Sequence, residues 1–491
     1  MEYLSEVFSS TPEFKKLCSL IDKKTLPAAL NGLSHIHKAL LVSALVKKGE
    51  KAVLICSDES ECAKFSEDLS KLGCQTLLFP YRDFTLKSVS GYSKEYEHKR
   101  TGTLSRLLDG DFSVLLFSVD AAMQRTVPPE MLERHIFILN SGDTLEREEL
   151  ISRLVSGGYT RCDMVEGAGQ FAARGSIVDV FPPDRERAVR IDFWGDEIDK
   201  ISEIDAESQR SVNDLQSVKL APAAEVFCES EDRLISEIGN YIEKNKKLSE
   251  NARKRLFDDL DSAKNGISLP LDRYLPFIFD RESYIFDYIG KAEILVSESL
   301  NVAEKVRTYT WQMNEDIKQL YEDGSLSKGL DKLIMEPSEF YGILESGGAI
   351  FLENFARSSY EVKLKAVETF SFQQSSFWSG SVFTLIDDLS GIKKGSSYVV
   401  LAGGEKAARN LARELCEAGI NAQYSDNPKG LTKGVTVMPG GLSAGFYLPS
   451  IDFTLITQGG NFAPSKKYKT RRKDAKPYGS LEELHKGDYV V

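Results

Sequence analysis

GYTRCDMVEGAGQFAARGSIVDVFPPDRERAVRIDFWGDEIDKISEIDAESQRS, residues 158–211, is the stretch from which the fold is read. Phe171 to Phe181 carries a β-branched core, Ile177, Val178 and Val180, and stops at Pro182-Pro183, which cannot donate to a sheet ladder. Val189, Ile191 and Phe193 then alternate with Arg190, Asp192 and Trp194, giving one apolar and one mostly polar face. Gly195-Asp196 closes a hairpin, because glycine tolerates the positive φ of such turns. Ile198, Ile201 and Ile204 continue at a spacing of three, which a flat strand cannot place on one face, so a bulge or bend is expected there. The result is a small twisted antiparallel sheet. Its conspicuous polar groups are Arg161, Arg174 and Arg190, and Gly175 after Arg174 is read as allowing close backbone approach. No His, Ser or Cys sits at a spacing suited to catalysis, so the sheet reads as a docking surface.

GQFAARGSIVDVFPP followed by RIDFWGDEIDKISEIDAESQRS resembles the domain with which the nucleotide excision repair protein UvrB binds its partner UvrA. Bacterial transcription-repair coupling factors share that domain. The resemblance implies a UvrA partner, met by Arg161 and Arg174 with Phe171 and Gly175 shaping the surface around them. Arginine suits this role because its planar fork can hold a carboxylate through two parallel hydrogen bonds.

The composition allows several domains: 491 residues, 42% hydrophobic and 28% charged. No apolar run approaches the length of a membrane span, and the N-terminus lacks the pattern of a secretory signal, so a cytoplasmic protein is expected. Seven scattered cysteines without a C-x-x-C pair read as reduced thiols, not metal or redox centres. A net charge of −12 argues against a protein that coats nucleic acid.

Glu2 to Leu20 has the spacing of one lead-in helix. Gly32-Leu33-Ser34-His35-Ile36-His37-Lys38-Ala39 then stands where a nucleotide-binding protein carries its phosphate loop. Such a loop needs glycines for the cradle, a lysine for charge and a hydroxyl for magnesium. Lys38 is present, but His37 replaces the preceding glycine and Ala39 the hydroxyl. His35 and His37 read as loop or cap residues, since no acidic or sulfur partner lies nearby in sequence to complete a metal site.

Strands at Lys51–Ser57, Thr76–Phe79, Ser113–Phe117 and His135–Leu139 alternate with helices at Ser60–Leu72 and Tyr92–Leu108, an α/β rhythm. A helix over Thr144–Ser156 takes Thr144 as its N-cap. The strand within Tyr284–Asn301 ends in Ser297-Glu298, where a working motor of the resembled class carries an Asp-Glu pair for magnesium. Gly32, Lys38 and Glu298 thus mark a degenerate nucleotide site. No cofactor and no catalysis are expected, and the combined losses favour the coupling-factor side of the resemblance over a UvrB-type damage-recognition ATPase, the alternative.

The expected fold class is α/β. A degenerate phosphate-loop domain (1–140 and 285–345) carries an inserted β-rich UvrA-binding domain (141–222) and a helical lobe (223–284). A second α/β domain (346–462) follows, in which Gly403-Gly404 reads as a tight turn. The basic stretch 463–480 reads as a solvated linker, or else as a patch for acidic protein or DNA phosphate. SLEELHKGDYVV, 480–491, resembles the start of the coupling factor's RNA-polymerase-interacting domain, which implies a truncated chain. RNA polymerase is then a partner through that domain, and DNA one through motor domains beyond it.

Overall fold

A computed structural model describes residues 1–86, 94–228, 230–267, 269–375, 378–392 and 395–458. The basic stretch and the 480–491 segment lie outside these residues.

Along the chain, β1 (Ala28–Asn31), β2 (Ala52–Cys56), β3 (Thr76–Phe79) and β4 (Val114–Ser118) open the first unit, and β5 (Phe137–Asn140) leads out of it. An inserted sheet comes next: β6 (Thr160–Arg161), β7 (Gln170–Arg174), β8 (Ile177–Phe181), β9 (Ala188–Trp194), β10 (Glu197–Ile204) and β11 (Ser211–Leu215). β12 (Ser217–Leu220) runs back antiparallel to β5. Helices Glu231–Lys244 and Glu250–Lys264 form the lobe. The chain then returns through β13 (Glu293–Ser297), β14 (Ile350–Glu353) and β15 (Ala366–Thr369). β16 (Gln373–Ser375), β17 (Ser397–Leu401), β18 (Ala422–Tyr424), β19 (Gly434–Met438), β20 (Gly445–Leu448) and β21 (Phe453–Thr457) build the last sheet.

The first sheet has seven parallel strands in the order β15-β1-β14-β13-β2-β4-β3. Parallel strands are covered on both faces, and the sequence shows it: all of Ala52-Val53-Leu54-Ile55-Cys56 is buried. Alternate residues feed two cores. Val53 and Ile55 join Leu115 and Phe117 on one side, while Leu54 joins Leu116 and Leu295 on the other. That second core continues through helix His35–Lys47 into Phe446, Phe453 and Leu455 of the last unit. The helix is therefore apolar nearly all round, because it is sandwiched between two sheets.

Several expectations are corrected. The lead-in helix is two, Glu2–Ser9 and Pro12–Asp22, because Thr11 caps the second through the Phe14 amide and Pro12 opens it. Thr144 is no cap; it bridges to Glu197, and the helix runs Arg147–Ser156. Phe171 to Phe181 forms a hairpin. Gly175 makes its turn at φ +58 with open space around the missing Cβ, so turn geometry and not close approach accounts for this glycine. The strand β1, unforeseen, precedes the Gly32 loop. Finally, β14 and β15 hydrogen-bond into the first sheet, so the sheets divide between 369 and 373, not at 346.

Candidate protein-docking site

The inserted sheet runs in the order β11-β10-β9-β8-β7-β6, antiparallel except for the β6–β7 edge pair. Its inner face is apolar. Phe171, Val178, Val180, Val189, Ile191, Phe193, Ile198 and Ile201 pack on Leu150 and Leu154 of helix Arg147–Ser156. The bulge expected from the isoleucine spacing is present: the register shifts between Ile198 and Lys200, and again near Ile204, which turns inward on the other face beside Ala172 and Ala188.

On the outer face one buried carboxylate organises the charge. Asp179 lies mid-strand opposite Arg190, and Arg190 grips it with Nε to Oδ1 at 2.7 Å and Nη2 to Oδ2 at 2.9 Å. Arg174 adds Nη2 to Oδ2 at 3.1 Å. A carboxylate removed from water needs such partners, and here two guanidinia answer it. The hydrogen-bonded Asp179 holds the Arg190 guanidinium above its ordinary pKa, and burial raises that of the neighbouring Asp192 carboxyl. Arg190 is largely covered, whereas Arg174 stays 52% exposed on its side chain. The outer face thus offers a braced, accessible guanidinium in Arg174. Asp179 escaped the sequence reading, although an aspartate inside Ile177-Val178-Asp179-Val180 was itself a signal that a buried counter-charge must exist.

Arg161 does not share that face. Tyr159 enters the core beneath the sheet and Cys162 packs on the outer side, so alternation sets Arg161 on the inner side of the edge strand, where the core has ended and it is exposed. Phe171 is fully buried and acts on the surface only through its strand. Gly175 forms the turn next to Arg174, and its carbonyl accepts from Arg147 Nη1 at 2.6 Å.

The second predicted cluster does come together. β1, the Gly32-Leu33-Ser34 loop and helix His35–Lys47 form a strand–loop–helix unit at the carboxyl edge of the parallel sheet, where such folds place ligands. Several of its groups are engaged internally. Leu33 N donates to Glu353 O (2.9 Å), Ser34 N to His37 Nδ1 (3.3 Å) and Lys38 N to Ser34 O (3.1 Å). A Cβ on Gly32 would stand 2.1 Å from the Phe370 carbonyl oxygen, so chain returning from β15 presses on the loop. His37 is buried and neutral, burial lowering its pKa to about 4. His35 caps a different contact, stacking on Phe65 and meeting Asp68 at 3.1 Å. The buried Lys38 ammonium binds Glu298 Oε1 (2.5 Å) and Ser297 Oγ (3.1 Å), and Ser297 Oγ donates on to Glu61 (2.7 Å).

Comparison with known proteins singles out the inserted sheet. Residues 137–226 match the UvrB interaction domain. These residues span β5 to β12, the whole docking sheet with its two flanking strands. The chain is also 26% identical over 516 residues to the transcription-repair-coupling factor of Bacillus subtilis (strain 168), covering 100% of this chain and 43% of that protein. It is 24% identical over 505 residues to the transcription-repair-coupling factor of Staphylococcus haemolyticus, covering 99% and 43%. It is similar over nearly all its length to these two transcription-repair-coupling factors, while spanning less than half of theirs. Within the matched residues, the accessible arginine and its buried carboxylate brace lie on the outer face.

Proposed function

We propose that this chain is the UvrA-recruiting part of a transcription-repair coupling factor, acting in the cytoplasm in DNA repair. UvrA docks on the outer face of the inserted sheet through Arg174, with Arg161 reached at the sheet's edge. The observation that carries this reading is the coincidence of the interaction-domain match with a rigid face presenting a braced, half-exposed guanidinium. Contact with RNA polymerase is assigned to the stretch at 481–491 together with the adjoining region of the relatives, and contact with DNA to the relatives' remaining length.

The first α/β unit serves as scaffold and does not turn over ATP. The Leu33 and Ser34 amides of the loop are occupied, Ala39 offers no hydroxyl, and Lys38 is held in an ion pair with Glu298. A nucleotide whose phosphate took Lys38 would have to break that pair. Breaking a buried pair costs roughly 3–5 kcal/mol, enough to lower affinity by a factor of a hundred or more.

Calorimetric titration of one preparation with UvrA and then with Mg-ATP tests both halves. Binding to UvrA at micromolar concentration or tighter is expected, with no heat from nucleotide up to about millimolar concentration. A micromolar response to Mg-ATP would instead favour the UvrB-type ATPase.

A further inference from the structure

We propose that Trp194 is the apolar anchor of the docking face, entering a hollow on the UvrA surface whose rim supplies a carboxylate to Arg174. The inference rests on the docking reading above and deepens it.

Trp194 ends β9 immediately before Gly195, which turns at φ +66, and it is 81% exposed. Alternation with the core residue Phe193 places it on the outer face. Phe193 N donates to Ser176 O at 2.9 Å, so the 175–176 and 195–196 turns lie side by side. Ile177 pairs with Arg174 on one strand and Asp192 on the next. Trp194 and Arg174 therefore occupy the same end of the same face, with the half-buried Ile177 between them.

A tryptophan is seldom left this exposed, because its indole buries a large apolar area when it can. Here the scaffold holds it out. Phe193 and Ile191 are fixed in the core, and Trp194 pairs with Glu197 across a two-residue turn. A rigid aromatic loses little conformational freedom on binding, and tryptophan beside arginine is the composition that dominates interface energies. The exposed cation selects the occupant. Arg190 is covered and held by Asp179, with Asp192 beside it, whereas Arg174 touches Asp179 through Nη2 and is the guanidinium that stands exposed. The matching surface is apolar at its centre and acidic at its margin.

The test uses the chain labelled with 5-fluorotryptophan, which reports on Trp194, Trp311 and Trp378 separately, titrated with purified UvrA. The Trp194 fluorine resonance is expected to shift or broaden, while that of Trp311, on the distant helix Ser299–Glu322, stays put. Trp194→Ala should weaken binding about thirty-fold or more, and Trp194→Phe by no more than about fivefold. Binding by Trp194→Ala within about twofold of wild type, while Arg174→Ala is defective, would overturn the anchor and leave the docking reading standing. An unmoved Trp194 resonance at saturating UvrA would also overturn it. Failure of the wild-type chain to bind UvrA would remove the docking reading, and this inference with it.

Discussion

Arg174→Ala is expected to abolish capture of UvrA on a pull-down while leaving the melting temperature of the chain unchanged. Losing one partner of a desolvated interfacial charge pair costs about 2–5 kcal/mol, roughly thirty- to several-thousand-fold in affinity. The folded chain loses little. Arg174 is half exposed, and Asp179 keeps two hydrogen bonds from Arg190 when Arg174 is removed. That separation of binding from stability is what distinguishes a docking arginine from one that only braces a carboxylate. The double variant Arg161→Ala/Arg174→Ala should bind no better than Arg174→Ala alone, since Arg161 adds a contact at the rim. A melting temperature lowered by Arg174→Ala in proportion to lost binding would make the arginine structural.

Glu225→Gln is expected to act in the opposite way, on stability first. Glu225 closes the interaction-domain segment and is fully buried. Arg100 grips it twice, Nε to Oε2 at 2.6 Å and Nη2 to Oε1 at 2.9 Å. Arg82 approaches Oε2 as well, while binding Asp272 of the following segment through two nitrogens. This network ties the chain leaving β12, the first α/β unit and the segment after the lobe together. Glutamine keeps the shape but leaves Arg100, also fully buried, without its counter-charge, a cost of about 3–5 kcal/mol. A fall in melting temperature on the order of 10 °C is the consequence for a cooperative unit of about 200 residues.

The pH dependence has a definite sign. Burial by itself would raise the Glu225 pKa, but Arg100 and then Arg82 outweigh it and hold the carboxyl down to about 2, from an ordinary 4.5. A depressed carboxyl contributes stability above its unfolded pKa and loses it as pH falls toward the folded one. Wild-type stability in urea should therefore decline between pH 4.5 and about 2, and Glu225→Gln should show a shallower decline across that window. Equal slopes for the two proteins would mean that Glu225 does not carry the linkage.

How much of this was legible in the sequence depends on the range of the interaction. The β9–β10 hairpin follows from Trp194-Gly195-Asp196-Glu197, and the bulge from three isoleucines at a spacing no flat strand accepts. Both are local, set by turn chemistry and side-chain alternation. The assignment of β14 and β15 to the first sheet was not legible, because strand order depends on crossovers that leave no periodic trace. Equally hidden was the Arg82–Asp272 pair, which joins residues 190 positions apart. The Lys38–Glu298 pair was half visible. Each residue was recognisable as the remnant of a lost nucleotide site, but their direct contact required β13 to lie near the loop after β1. Arg161 and Arg174 looked equivalent because both are basic and both lie in the sheet. Alternation counted back from the buried Tyr159 separates them, and that burial could be learned only from the packing.

Amide hydrogen exchange with and without saturating UvrA tests docking on the inserted sheet most directly. New protection is expected along residues 170–204, strongest at the two adjacent hairpin turns, with unchanged exchange in the Gly32–Lys38 loop. Protection confined to the last sheet, residues 373–457, with the inserted sheet exchanging as in the unbound chain, would contradict it.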